Sequence, residues 1–347
     1  MLRLSAVSIA CVALVHVGCS GDSDKQQLVK GAYPRGMRNM GNTCFANAYW
    51  QVLAHNTHFK AYVDSLPVPE EVSAHMRVVN ATKNFVTLHV GGTMKPVVPA
   101  EFFGAYSEFT DLFSSGRQQD AMQAFERSNE ILAESAAAVG GSNYDLFRFD
   151  LRTRFQCPNP QNDRFLTVPA GDLRLDLPAS DQPQQLTTLL DAYFAVSYNR
   201  DHQCDQPRHL HAGSARSHSV DVPAPRGGWQ NFHMGSAPQL LAIQLKRFHT
   251  HFDRERGELR VDLIRTKVEF GENLRLVEAV HGVAAEYRLV GVVRHLGVSV
   301  RSGHYVSDYW HPELASWVHA DDSQTFLVTG PNLSSGSAYI LFYQRHT

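Results

Sequence analysis

One cysteine in this chain stands where a nucleophile would be useful. Gly41-Asn42-Thr43 reads as a turn, and Cys44 follows it at the head of a segment in which Phe45, Tyr49, Val52 and Leu53 recur at i, i+4, i+7 and i+8, the spacing of a helix with one apolar face. A thiol at a helix N-terminus meets the positive end of the peptide dipoles, which favours thiolate over thiol. Thiolate is the attacking form, so this is where a cysteine hydrolase would place its nucleophile; the alternative is a buried structural cysteine. Such a nucleophile needs an acid–base partner, and that partner needs an orienting group. Near the C-terminus stand Gly303-His304-Tyr305 and then Trp317-Val318-His319-Ala320-Asp321-Asp322-Ser323. With His304 opening one strand and Asp321 ending the next, a hairpin would hold imidazole and carboxylate side by side. Either piece alone occurs by chance in many chains.

The elements that must hold these groups fall into two kinds. Residues from about 31 to 140 read mainly as helices, with a break at Gly140-Gly141-Ser142. From Phe147 to Arg152 apolar and polar residues alternate, as in a half-buried strand. Leu240–Leu245, Val261–Phe270, Leu289–Val293, Tyr305–Tyr309, Trp317–His319 and Ala338–Tyr343 continue as strands. Helices first and mostly antiparallel strands later make an α+β architecture. The stretch from Asp201 to Trp229, rich in His, Pro and Ser, reads as a long excursion from the core.

Composition sets the outer limits. The 347 residues, 43% hydrophobic and 19% charged, suffice for a large core and exclude wholesale disorder. A net charge of -2 with no basic run gives no footprint for nucleic acid. Eighteen histidines keep metal and acid–base chemistry in view.

The N-terminus is a separate object. Arg3 precedes a mostly apolar run from Leu4 to Val17, too short to cross a bilayer comfortably, closed by Gly18-Cys19 and followed by polar residues. This resembles a bacterial lipoprotein signal in which Cys19 becomes the lipidated first residue, although His16 stands where that signal prefers an aliphatic residue. Ordinary secretory cleavage and a retained anchor are the other readings. Residues 1–28 are set aside as leader and linker, and 29–347 as the folded domain. Beyond the leader only Cys44, Cys157 and Cys204 remain, which is no disulfide scaffold.

Taken in order, the motifs resemble the ubiquitin-specific protease family of papain-like deubiquitinating cysteine peptidases. The cysteine block runs from Gly36 to Leu53 and includes Asn39, Asn47 and Gln51; Gln118-Gln119-Asp120-Ala121 is a second block. Leu245-Lys246-Arg247-Phe248 is a third, the histidine block from Tyr287 to Ser323 a fourth, and Ala338–Tyr343 the last. Five blocks in order cover nearly everything after the leader. The resemblance implies a papain-like fold with a helical thumb (about 31–140), β fingers (about 145–235) and an antiparallel β palm (about 236–347). It implies thiol-dependent hydrolysis of the isopeptide bond at the C-terminal glycine of ubiquitin, with no cofactor. Cys44 would be the nucleophile, His304 its acid–base partner and Asp321 the orienting group. Asn39 would donate to the oxyanion beside the Cys44 N–H, its alternative being a turn-forming residue. Asp322 would have a supporting role, or be merely a solvated carboxylate. Gln118, Asp120, Gln123, His295 and Tyr305 would line the route of the ubiquitin tail, with Asp120 facing its arginines.

Two departures from the family pattern stand out. Gln123 occupies a position where the family usually has Glu, which implies one lost charge-assisted contact to the tail. The finger zinc site is also incomplete: Cys157-Pro158-Asn159-Pro160 and Cys204-Asp205-Gln206-Pro207 each keep one cysteine of a Cys-x-x-Cys pair. Cys157 and Cys204 are then free thiols, a disulfide, or half of a mixed site with His202, His209 or His211. Two further functions stay open, a protease for another ubiquitin-like modifier and an inactive ubiquitin-binding module. The leader adds the expectation of a bacterial protein, exported and acting on host ubiquitin; a monomer is expected.

Overall fold

The computed structural model of the chain describes residues 34–68, 73–90, 95–114, 116–157, 163–203, 226–254, 256–277, 284–299 and 302–346. The leader with Cys19, and Cys204 with the histidines at 209 and 211, lie outside them.

Helices come first: α1 (Cys44–Ala54), α2 (Thr57–Ser65), α3 (Ala74–Val90), α4 (Ala100–Ser107) and α5 (Ala121–Ala138). Two start on side-chain caps. Asn56 accepts from the N–H groups of His58 and Phe59 before α2, and Asp120 accepts from those of Met122 and Gln123 before α5. Each cap contributes about 1 kcal/mol. The bundle closes on Trp50, fully buried, with the rings of Phe59, Phe85, Phe102 and Tyr106 at 4.7–5.9 Å. Gly140, at φ +75°, takes the left-handed turn that ends α5 and the helical half.

Strands follow: β1 (Phe149–Gln156), β2 (Arg164–Ala170), β3 (Leu173–Asp176), β4 (Gln184–Gln185), then α6 (Leu186–Phe194), β5 (Ser197–Gln203) and β6 (Arg226–Met234). The remainder is β7 (Leu240–Lys246), β8 (Phe248–Asp253), β9 (Glu258–Leu263), β10 (Val268–Glu269), β11 (Asn273–Val277), β12 (Ala284–Ser299), β13 (Ser302–His311), β14 (Ser316–Asp321), β15 (Gln324–Val328), β16 (Ser334–Ser335) and β17 (Ala338–Arg345). One large sheet runs β15-β14-β13-β12-β17-β7-β3, with β11 also on β12; β2-β1-β6-β5 form a separate sheet, the fingers. One face of the large sheet packs on the helices through Tyr305, Tyr309, Val318 and Ile340. The other face packs through Leu241, Ile243, Val292 and Leu341 on α6 and its surroundings.

Two local readings need correction. The expected strand over 261–270 is two strands, β9 and β10. Between them the fully buried Arg247 takes the carbonyls of Ile264 and Thr266 at 3.0 Å each, and those of Ser335 and Ala338. A backbone whose acceptors serve a guanidinium cannot extend a ladder. Helix α6 lies inside the region read as fingers; Leu186, Leu189 and Leu190 have helical spacing and are buried, a signal too short to stand out among Gln and Thr.

Candidate active site

Cys44 is the first residue of α1 and is buried. The chain reaches it through a tightly held run. Met37 N–H donates to the carbonyl of Asp322 at 2.7 Å, while Gly36 and Arg38 pair with Val97 on the other side. A Cβ on Gly36 would lie 2.4 Å from the Asp322 carbonyl oxygen, so only glycine lets the two segments meet. Gly41 and Asn42, at φ +95° and +60°, then turn the chain into the helix.

His304 is the third residue of β13, half-buried after the exposed Ser302 and Gly303, and Asp321 closes β14 beside it. His304 Nε2 and Asp321 Oδ1 are 2.6 Å apart, leaving Nδ1 for Cys44. The imidazole is held protonated up to about 9: its hydrogen bond to Cys44 raises it most, burial opposes, and Asp321 adds to the rise. The imidazole thus stands between the Cys44 thiol group and the Asp321 carboxylate.

Asp322 is more than a solvated carboxylate. Its Oδ2 accepts from Asn39 Nδ2 at 2.8 Å and its Oδ1 from Asn47 Nδ2 at 2.7 Å, while its own backbone sits at φ +49°. Asn39 is fixed at both ends, because its Oδ1 accepts from the N–H groups of Gly41 and Thr43 at 3.0 and 3.1 Å. An amide nitrogen carries two hydrogens, so one remains for a substrate oxygen. Asn47 carries no role in the sequence reading, though an amide on the first turn of an apolar helix is a signal that could have drawn one.

The expected tail-binding residues divide. Gln123 is exposed and Gln118 half-buried. Asp120 caps α5 through Oδ1 and accepts from Tyr339 O–H through Oδ2, so its carboxylate is committed to joining thumb and palm. His295 and Tyr305 are both buried. Their rings pack 4.8 Å apart, and a Cβ on Gly303 would come within 2.5 Å of His295 Nε2. They support the strand hairpin from below. The His304 ring and the Asp321 and Asp322 carboxylates lie close enough to share a cation, but each already has a protein hydrogen-bond partner. In the fingers Cys157 is disulfide-bonded, its partner outside the described residues.

A family model described as ubiquitin carboxyl-terminal hydrolase matches residues 35–343. The chain belongs to this family. Its relatives include mouse ubiquitin carboxyl-terminal hydrolase 17-like protein C, 25% identical over 336 residues, covering 90% of this chain and 55% of the relative. Arabidopsis thaliana ubiquitin carboxyl-terminal hydrolase 23 is 24% identical over 333 residues, covering 89% of this chain and 35% of the relative. The chain thus spans about half, or less, of their length. Both are eukaryotic and lend no support to a bacterial origin. Among solved structures, the SAGA Ubp8/Sgf11/Sus1/Sgf73 DUB module bound to ubiquitin aldehyde matches with a TM-score of 0.70 at 20% identity, over 94% of this chain and 71% of that one. The same kind of module with a Ubp8 variant, bound to monoubiquitin, matches at 0.68 and 19%, over 90% and 69%. The fold is therefore the papain-like one of this hydrolase family.

Proposed function

We propose that this chain is a thiol-dependent deubiquitinase that hydrolyses the isopeptide bond after the C-terminal glycine of ubiquitin. The observation that carries the reading is the convergence of Cys44, His304 and Asp321 from α1, β13 and β14. In this reading the Cys44 thiolate attacks the glycine carbonyl. The second hydrogen of the Asn39 amide and the Cys44 N–H receive the oxyanion. His304 then protonates the leaving lysine amine and afterwards deprotonates the water that frees the acyl group, while Asp321 holds the ring. Asp322 keeps the Asn39 amide aimed. Ubiquitin as partner is supported by the ubiquitin-bound state of the structural neighbours. Export, lipidation at Cys19 and a bacterial source rest on the leader alone.

The test is reaction of the chain with ubiquitin bearing a thiol-reactive C-terminal warhead, beside Cys44→Ala. A covalent adduct lost in the variant is expected. Labelling only by another ubiquitin-like tail would move the substrate, and silence from all of them would favour a binding module.

A further inference from the structure

Two histidine–aspartate pairs share the same two strands. Alternate residues of a strand face the same side, so His304, Val306 and Asp308 of β13 form one row and Trp317, His319 and Asp321 of β14 another. Asp308 stands directly opposite His319 in the ladder, and Ser307 opposite Ala320. Continuing that register sets Val306 opposite Asp321, and His304 reaches Asp321 on the diagonal. The pair at the site is open, its side chains 36% and 46% exposed. The second pair is closed, with His319 at 14% and Asp308 at 8%.

The closed pair is also the better connected. Asp308 Oδ1 meets His319 Nδ1 at 2.6 Å. Its Oδ2 accepts from Nε and Nη2 of the buried Arg294 on β12, at 2.9 and 2.8 Å, and Nη2 also reaches the Asn332 carbonyl at 3.0 Å. Burial pushes the Asp308 carboxyl up, but His319 and Arg294 together outweigh it and hold it below the usual range. On its far side His319 stacks on Phe326, its ladder partner on β15. One buried carboxylate therefore ties β12, β13 and β14 together, and His319 extends the tie to β15.

Such a network adds little net stability over apolar residues of the same volume. Its distinctive effect is on register. A one-residue slip of β14 would turn Val318 and Ala320 out of the core, and the apolar pattern forbids it. A two-residue slip keeps every face and moves Ala320 to where Val318 was, so the apolar pattern resists it weakly. That slip would part His319 from Asp308 and leave a buried charge half-paired, and it would carry Asp321 away from His304. A single buried polar residue fixes register in coiled coils for the same reason.

We propose that Arg294, Asp308 and His319 are a register lock: positioning residues that hold β14 against β13 so that Asp321 meets His304. The proposal rests on the reading of Cys44, His304 and Asp321 as the reacting set. His319→Ala is the direct test, because it frees β14 while Arg294 and Asp308 stay paired. In the selectively labelled full chain, the titration midpoint of the His304 ring, assigned with His304→Gln, is expected to fall below about 9 by the part that Asp321 contributes, with the Cys44 hydrogen bond still holding it above its ordinary value. On a fluorogenic ubiquitin substrate kcat is expected to fall about tenfold with KM unchanged, as for a small misplacement of a catalytic group. His319→Asn, which keeps a donor near the Nδ1 position, should restore both. Should His319→Ala not fold, the apolar triple Arg294→Met, Asp308→Leu, His319→Phe serves, and the same displaced midpoint is expected. A folded variant with the wild-type midpoint overturns the lock, even if its melting temperature drops. The midpoint is read without ubiquitin, so a displaced midpoint in a chain that ignores ubiquitin would uphold the lock and sink the deubiquitinase reading instead.

Discussion

The ground around Cys44 and the sheet of the fingers treat polar and apolar groups in opposite ways. Around Cys44 the polar side chains are tied to one another: Asp322 to Asn39 and Asn47, His304 to Asp321, Asp120 to its helix and to Tyr339. In the fingers, β2 is exposed along six of its seven residues. Phe165 on β2, Trp229 on β6 and Tyr198 on β5 are 72%, 52% and 52% exposed. By register the three share one face: Phe165 stands opposite Arg154, Trp229 opposite Gln156, and Tyr198 opposite Trp229. Chemistry needs atoms held within a fraction of an ångström, whereas recognition needs uncovered area. Under the proposed reading one region turns over the bond and the other holds the protein attached to it.

That division can be broken by substitution, and the largest effect belongs to the tied region. Asn39→Ala removes an oxyanion donor and should lower kcat on a fluorogenic ubiquitin substrate by roughly 10²–10³-fold with little change in KM. A loss under tenfold would reduce Asn39 to a turn residue. Gly36→Ala should come next, because its Cβ would press on a carbonyl that cannot move aside. Thermal melting should report about 1–3 kcal/mol of destabilisation, with kcat falling as Asp322 is displaced. An unchanged melt would show that the two segments have slack.

The fingers should answer differently. Phe165→Ser with Trp229→Ser should raise KM for the ubiquitin substrate about tenfold, as loss of large aromatic contacts does, while kcat stays put. Stability should move by no more than about 1 kcal/mol, since Phe165 is mostly in water and Trp229 half so. A fall in kcat instead would erase the contrast between the regions. The smallest change is Gln123→Glu. It adds a carboxylate at the one exposed position of the first turn of α5, where the ubiquitin tail would pass, and should lower KM a few-fold at low salt through a charge-assisted contact. An unchanged KM would move that residue out of the tail's path.

Much of this was legible in the chain because its signals are local. The turn before Cys44, the helical spacing after it and the alternation of the C-terminal strands each sit within a few residues, and α1, β13 and β14 form where those patterns place them. Where the signal was distant it failed. The interruption between β9 and β10 depends on Arg247 reaching carbonyls across three segments. The burial of His295 and Tyr305 likewise depends on strand alternation and the tight Gly297–Gly303 approach, which no single stretch displays.

The sequence by itself determined the reactive types, their order and the class of fold, because a thiol at a helix start and a periodicity of two or near four are properties of short stretches. Only the tertiary structure decided which polar groups meet. Asp322 bridging Asn39 and Asn47, and Asp308 bridging Arg294 and His319, join residues from separate elements. Those meetings follow from strand register and from how closely glycine lets two backbones approach, and neither is written in any one segment.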